Sequence, residues 1–223
     1  MDELLNPDPK SLERFLIRWY GPPDNDYAPV AIRQPLPDPL REWFETVSRW
    51  SRGVTVQNRI VAPYPDEEDP AVQVFWVENQ AVWLWGYRGD SGNDPIVLDR
   101  ENEVGKPWET TNTRLSLFLL QVAVFEALMG AVYGACAIDI AEDAVDQITR
   151  PLTPVPTRAW HWLNDAGLWV GTGLLVMSAV NERPGTPATP ASRWWVQIGA
   201  TSEDRLGYLD AFAIEWVWKG HSP

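Results

Sequence analysis

From Lys10 to Tyr20 the chain reads KSLERFLIRWY, and Leu12, Phe15, Leu16 and Trp19 recur at the three- and four-residue intervals of one helical face. The spacing predicts a short amphipathic helix with Ser11 as its N-cap, ended by Gly21-Pro22-Pro23. The proline-rich, aperiodic stretch from Pro22 to Pro39 predicts an extended connection. Leu40, Trp43, Phe44 and Val47 then mark the inner face of a second helix, Pro39 to Trp50. Further along, the period shortens to that of strands. Val72-Gln73-Val74-Phe75-Trp76-Val77 and Ala81-Val82-Trp83-Leu84-Trp85-Gly86 are β-branched and aromatic runs separated only by Glu78-Asn79-Gln80, which predicts a β-hairpin with a polar turn. Asn58 to Ala62 and Pro95 to Asp99 add a strand on either side, giving a meander of about four strands. The run Asp66-Glu67-Glu68-Asp69, set between Pro65 and Pro70, is expected as an exposed acidic loop.

Arg114 to Ala137 is apolar for long enough to raise the question of a membrane span. Gln121 and Glu126 stand in its middle, and a carboxylate at the bilayer centre costs about 2.5 to 3.5 kcal/mol on insertion scales. No basic cluster flanks the segment, so it is expected as a buried core helix, capped by Thr111 or Asn112. In the last third, strands are expected at Leu168 to Gly171, Leu174 to Val180 and Arg193 to Ala200, with a proline-rich loop from Asn181 to Ser192. Ser202 to Phe212 starts with a capping-type serine and an acidic first turn, and places Leu206, Leu209 and Phe212 on one helical face before a strand at Ile214 to Trp218. No internal repeat of fixed period is present. The alternation of helical and strand periods predicts an α+β fold with a central mixed, largely antiparallel sheet and helices against it. A single domain over residues 1–223 is expected, with its core at 12–137 and strands and a helix at 167–218 completing it.

Composition narrows the function. With 31 acidic and 18 basic residues the formal charge is -13, which argues against direct binding to nucleic acid or to an anionic membrane and suits either a basic partner or simple solubility. Only three of the basic residues are lysine, while Arg, Pro and Trp are plentiful, the bias of a GC-rich bacterial genome. Met1 to Lys10 is acidic and interrupted by proline, unlike a secretory leader, and the single Cys136 excludes an internal disulfide; both fit the cytoplasm.

The search for chemistry finds little. His161 and His221 stand far apart, so no site of several imidazoles can form, and His161 between Trp160 and Trp162 reads as part of an aromatic cluster. No nucleophile elbow, phosphate-binding loop, dinucleotide fingerprint or calcium loop is present, and no cofactor is implied. Glu126 interrupts an apolar helix and is the acid most exposed to desolvation, with a structural hydrogen bond or ion pair as its expected use and acid-base chemistry as the alternative. The 14 tryptophans are expected mainly in the core, although one or two exposed rings would serve as a ligand platform or as interface anchors.

The helix ending in Tyr20-Gly21, the second helix ending near Trp50, and the segment Val74-Phe75-Trp76-Val77-Glu78-Asn79-Gln80-Ala81-Val82-Trp83-Leu84-Trp85-Gly86 resemble the SUKH superfamily. Members show an aromatic strand, a Glu-Asn-Gln-Gly turn and a second aromatic strand, then a small-residue and Asp-Pro segment matched by Gly92-Asn93-Asp94-Pro95-Ile96-Val97. Thr113 to Leu119 is similar to the family's following helix. The likeness covers Leu12 to Ala137, and Trp194 to Trp218 more loosely. Position 81 is Ala where the family often has Gly, which matters if the turn needs a positive φ. The resemblance implies a non-enzymatic module, in bacteria mostly an immunity protein that binds and neutralises a cognate toxin, often a nuclease. Its candidate contacts are Asp66, Glu67, Glu68, Asp69, Asp90 and Asp94, with the turn Glu78-Asn79-Gln80. A regulatory or scaffolding protein of the same fold and a small-ligand binder using exposed tryptophans remain as alternatives.

Overall fold

The computed structural model describes residues 1–25, 35–156, 161–164, 166–182, 189 and 192–222. The fold is α+β, with its strands divided between two antiparallel sheets where one central sheet was expected. The chain forms two compact units, residues 7–126 and residues 1–6 with 127–223.

In the unit of residues 7–126, a short helix α1 (Asp2–Leu5) having preceded it, the two expected helices form as α2 (Ser11–Tyr20) and α3 (Asp38–Val47). Ser11 is the first helical residue and not the cap. The carboxylate of Asp8 accepts the Lys10 N–H at 2.8 Å, and Ser11 Oγ accepts the Asp8 N–H at 2.8 Å, so the polar groups reach backward from the helix start. Most of the connection between these helices, residues 26–34, lies outside the described residues.

The meander has five strands, β1 (Arg59–Pro65), β2 (Val72–Val77), β3 (Trp83–Arg88), β4 (Ile96–Glu101) and β5 (Glu109–Arg114), paired in sequence order. β5 overturns the expectation that Thr111 or Asn112 caps the next helix. Glu109 and Thr110 pair with Asp99 and Leu98, and Arg114 with Ile96, so this segment is consumed by the sheet. The cap of helix α4 (Leu115–Met129) comes from a distance: Asp94 accepts the Ser116 N–H at 3.0 Å and its hydroxyl at 2.9 Å.

Trp76 and Trp85 lie on adjacent strands with ring centroids 4.1 Å apart, and Phe118 of α4 meets Trp76 edge-on at 5.5 Å. Both tryptophans and Phe118 are buried, and each such aromatic pair contributes about 0.5–1.5 kcal/mol beyond area burial. Gly86 makes this sheet possible, because a Cβ there would stand 2.6 Å from Val72 Cγ1 and 3.3 Å from the Trp108 ring.

α4 stops at Met129, eight residues short of the expected end, and Tyr133–Ile140 is strand β6. The unit of residues 127–223 continues with α5 (Glu142–Thr149), β7 (Thr153–Pro154), a 3-10 turn His161–Leu163, β8 (Gly167–Gly171), β9 (Leu174–Val180), β10 (Trp194–Ala200), a 3-10 helix Glu203–Ala211 and β11 (Trp218–His221). Its sheet runs β11-β6-β10-β9-β8-β7. Ile148 of α5 and Leu206 and Leu209 of the 3-10 helix cover one face, against Ala135, Ala137, Val176, Val196 and Ile198. The last strand starts at Trp218, where the expected one ends. Most of the proline-rich loop, residues 183–188, 190 and 191, lies outside the described residues, as do Trp160 and the side chain of His161.

Candidate functional site

The acidic run after β1 is shaped by its own first residue. Asp66 Oδ1 accepts the backbone N–H groups of Glu68 at 3.1 Å and Asp69 at 2.9 Å, the self-closing turn that aspartate favours. Its Oδ2 accepts Arg100 Nη2 at 2.8 Å, and the two side chains are only 4% and 6% exposed. Arg100 Nη1 donates to Glu68 Oε2 at 2.6 Å and to the Lys106 carbonyl at 3.3 Å, while Glu68 accepts the Gly105 N–H at 3.1 Å. The Trp108 ring lies 5.2 Å from the guanidinium carbon and screens it by a cation–π contact. One arginine therefore fastens the 66–69 loop to the loop between β4 and β5, where Gly105 supplies a positive φ.

Charge follows this geometry. Burial works to raise the Asp66 carboxyl, but the Asp69 N–H, the Arg100 charge and the Glu68 N–H outweigh it and hold it below the usual aspartate range. The hydrogen bond from Arg100, then that from Gly105, lowers Glu68.

Neighbouring turns join the same network. Asp69 pairs with Arg88 at 3.2 Å, and the Gly89 N–H donates to the Ala71 carbonyl at 3.0 Å, which fastens the turn bearing exposed Asp90. Asn102 donates from Nδ2 to the Ala81 carbonyl at 2.7 Å and from its N–H to the Val82 carbonyl at 2.8 Å. Those carbonyls belong to the β2–β3 turn, where Glu78 Oε2 accepts the N–H groups of Gln80 at 2.8 Å and Val82 at 3.3 Å.

Eight of the nine contact residues expected from sequence thus lie in one connected set of loops; Asp94 does not, being spent on the cap of α4. Within the set, Asp66 is buried, contrary to the expectation that the whole acidic run 66–69 is exposed, and so is Glu78 of the hairpin turn, because closing a turn needs a carboxylate that faces inward. Glu67, Asn79, Gln80 and Asp90 face outward. Two residues that sequence reasoning passed over complete the face: Arg100, its buried bolt, and Val104, 89% exposed at the tip of the β4–β5 loop. The ENEVGK composition of residues 101–106 signals a turn, but nothing local shows that Arg100 reaches back 34 residues to Asp66.

Between residues 60 and 109 the chain carries eleven carboxylates and three bases, Arg88, Arg100 and Lys106. Each base is paired: Arg88 with Asp69, Arg100 with Asp66 and Glu68, and Lys106 with Glu101 at 2.5 Å and Glu103 at 3.7 Å. The surplus charge is therefore negative and includes the outward carboxylates.

Glu126 is fully buried and works as a bracket. Its Oε2 accepts the N–H groups of Val56 and Gln57, both at 2.7 Å, and its Oε1 that of Asn58 at 3.0 Å. Burial raises its carboxyl above the usual glutamate range, and the three N–H groups oppose that shift. Asn58 Oδ1 in turn accepts the Asn79 N–H at 3.2 Å, so the bracket also steadies the β2–β3 turn.

Among the described residues no group of three His, Cys, Asp or Glu side chains is arranged to hold a metal ion, and no helix is long and apolar enough to cross a membrane. No protein-family model, curated protein or solved structure matches the chain.

Proposed function

We propose that this protein is a non-enzymatic binding module, an immunity protein of the SUKH kind that neutralises a basic cognate toxin in the cytoplasm. The observation that carries the reading is the excess of eleven carboxylates over three bases, all three paired, between residues 60 and 109, which leaves an acidic face on loops already fixed by the Arg100 network. Carboxylates so displayed can occupy the sites where a nuclease toxin receives phosphates, and complementary charge speeds encounter. Loops fixed before binding lose little conformational freedom on association, which favours a tight complex. Val104 supplies an apolar contact at the centre of that charge.

The test is co-expression with the protein encoded beside it. Protection of cell growth, with a stoichiometric complex that dissociates in high salt, is the expected result. A toxic neighbour that is neither bound nor silenced would overturn the reading and shift weight to a regulatory or scaffolding role.

A further inference from the structure

A second surface of the unit of residues 7–126 is shaped for a ligand of its own. A groove of about 550 Å³ opens where α2, α3 and α4 begin. Its floor is apolar, built from Leu12 of α2, Pro39 of α3 and Leu117, Leu119 and Leu120 of α4. Its rim carries Asp8, Asp38, Glu42 and Asp94, and no Lys, Arg or His is among the described residues that line it.

Converging helix starts ordinarily attract anions through free N–H groups. Here carboxylates already occupy that role: Asp8 accepts the Lys10 N–H, Asp94 accepts the Ser116 N–H, and Asp38 stands in the first turn of α3. The hydroxyls are engaged as well, Ser116 donating to Asp94 and Ser11 to Asp8. What the rim offers an incoming molecule is acceptor oxygen. Arg14 pairs with Asp8 at 3.0 Å and Arg41 with Asp38 at 2.8 Å, both from outside the lining, and Arg114 donates to the Asp94 backbone carbonyl at 3.2 Å. Glu42 and the Asp94 carboxylate are then the acceptors that no base among the described residues holds. A volume within the roughly 300–1,000 Å³ range of binding pockets, an apolar floor and an acceptor-only rim call for aliphatic groups beside a cationic donor.

We infer that this groove docks a short segment of a partner protein in which aliphatic side chains are flanked by arginine or lysine. The inference does not rest on the toxin reading, since it uses none of the residues of the loop face.

The probe is a fluorescein-labelled helical peptide with leucine at i, i+3, i+4 and i+7 and lysine elsewhere, titrated by anisotropy at about 0.15 M salt, where longer-range charge effects are screened. Wild-type protein should bind it, and a peptide with serine in place of leucine should not bind. Glu42→Arg and Leu117→Ser should each weaken binding tenfold or more, whereas Glu67→Lys, on the other surface, should change it less than twofold. Glu42 is exposed, so its variant decides the matter if Leu117→Ser lowers the melting temperature. Equal binding of the serine peptide, undiminished binding by Glu42→Arg, a loss confined to Glu67→Lys, or no binding at all would each overturn the groove assignment. None of these outcomes bears on whether the neighbouring gene product is neutralised.

Discussion

Ala81 sits in the β2–β3 turn with φ +58°, a left-handed conformation in which an L side chain costs about 1–2 kcal/mol. The substitution Ala81→Gly should therefore stabilise the protein by about 0.5–1 kcal/mol, since glycine removes the clash but adds chain entropy to the unfolded state. Chemical denaturation checks this, and a loss of stability would show that the Ala81 methyl has packing value exceeding the strain. Glu126 makes the opposite case, a residue whose removal has no good substitute. Alanine in its place leaves three backbone N–H groups without their acceptor, so Glu126→Ala should cost about 1–3 kcal/mol for each N–H left unpaired. Because the folded pKa of Glu126 is raised, its contribution is fully present below the ordinary glutamate value and declines as pH rises through the folded one. The stability gap between wild type and Glu126→Ala should accordingly narrow as pH rises above the ordinary glutamate value.

At the scale of elements, the 66–69 and 102–107 loops are one device because Arg100 joins them. Asp66→Asn leaves the buried Arg100 with Glu68 as its one carboxylate partner, so the loss should stay below the roughly 3–5 kcal/mol that a fully uncompensated buried charge costs. The sign with pH is the reverse of that for Glu126: the Asp66 pKa is depressed, so its contribution is present above the ordinary aspartate value and lost as pH falls through the folded one. Urea titrations of wild type and Asp66→Asn should converge below about pH 4. Both edges of the five-stranded sheet are guarded against strand addition, β1 by Pro63 and Pro65 and β5 by Asn112 at φ +54°, as is β7 of the other sheet by Pro154.

Which elements could be read in advance depended on one-sided burial. The amphipathic helices α2 and α3 and the aromatic hairpin were legible because Phe15, Leu16, Leu40 and Trp43 keep one period. The segment 114–140 was not: α4 is apolar on nearly every side, and β6, with Gly134, Ala135 and Ala137 buried on both faces, continues the same apolar run. β5, with polar Glu109, Thr110 and Asn112 outward at an edge, carries no strand signature of its own. The loops of the candidate face were visible as loops, but their connection through Arg100 depends on contacts far apart in sequence.

For the whole molecule, the charge of -13 is not spread evenly, since residues 60–109 hold eleven of the 31 acids and only three bases, each of them paired. Its acidic surface is therefore a property of sequence and fold together. The most direct test of the proposed function is the association rate of the protein with the product of the adjacent gene, which the proposal makes a basic toxin, measured by stopped flow for wild type and Glu67→Lys. Glu67 is preferred over Glu68 because Glu68 holds Arg100 and Gly105, and reversing it would loosen the loops as well as the charge. The account predicts that association slows tenfold or more between about 0.02 and 0.3 M salt, and that Glu67→Lys slows it several-fold at low salt with little change in dissociation. A rate indifferent to both salt and the substitution would contradict it.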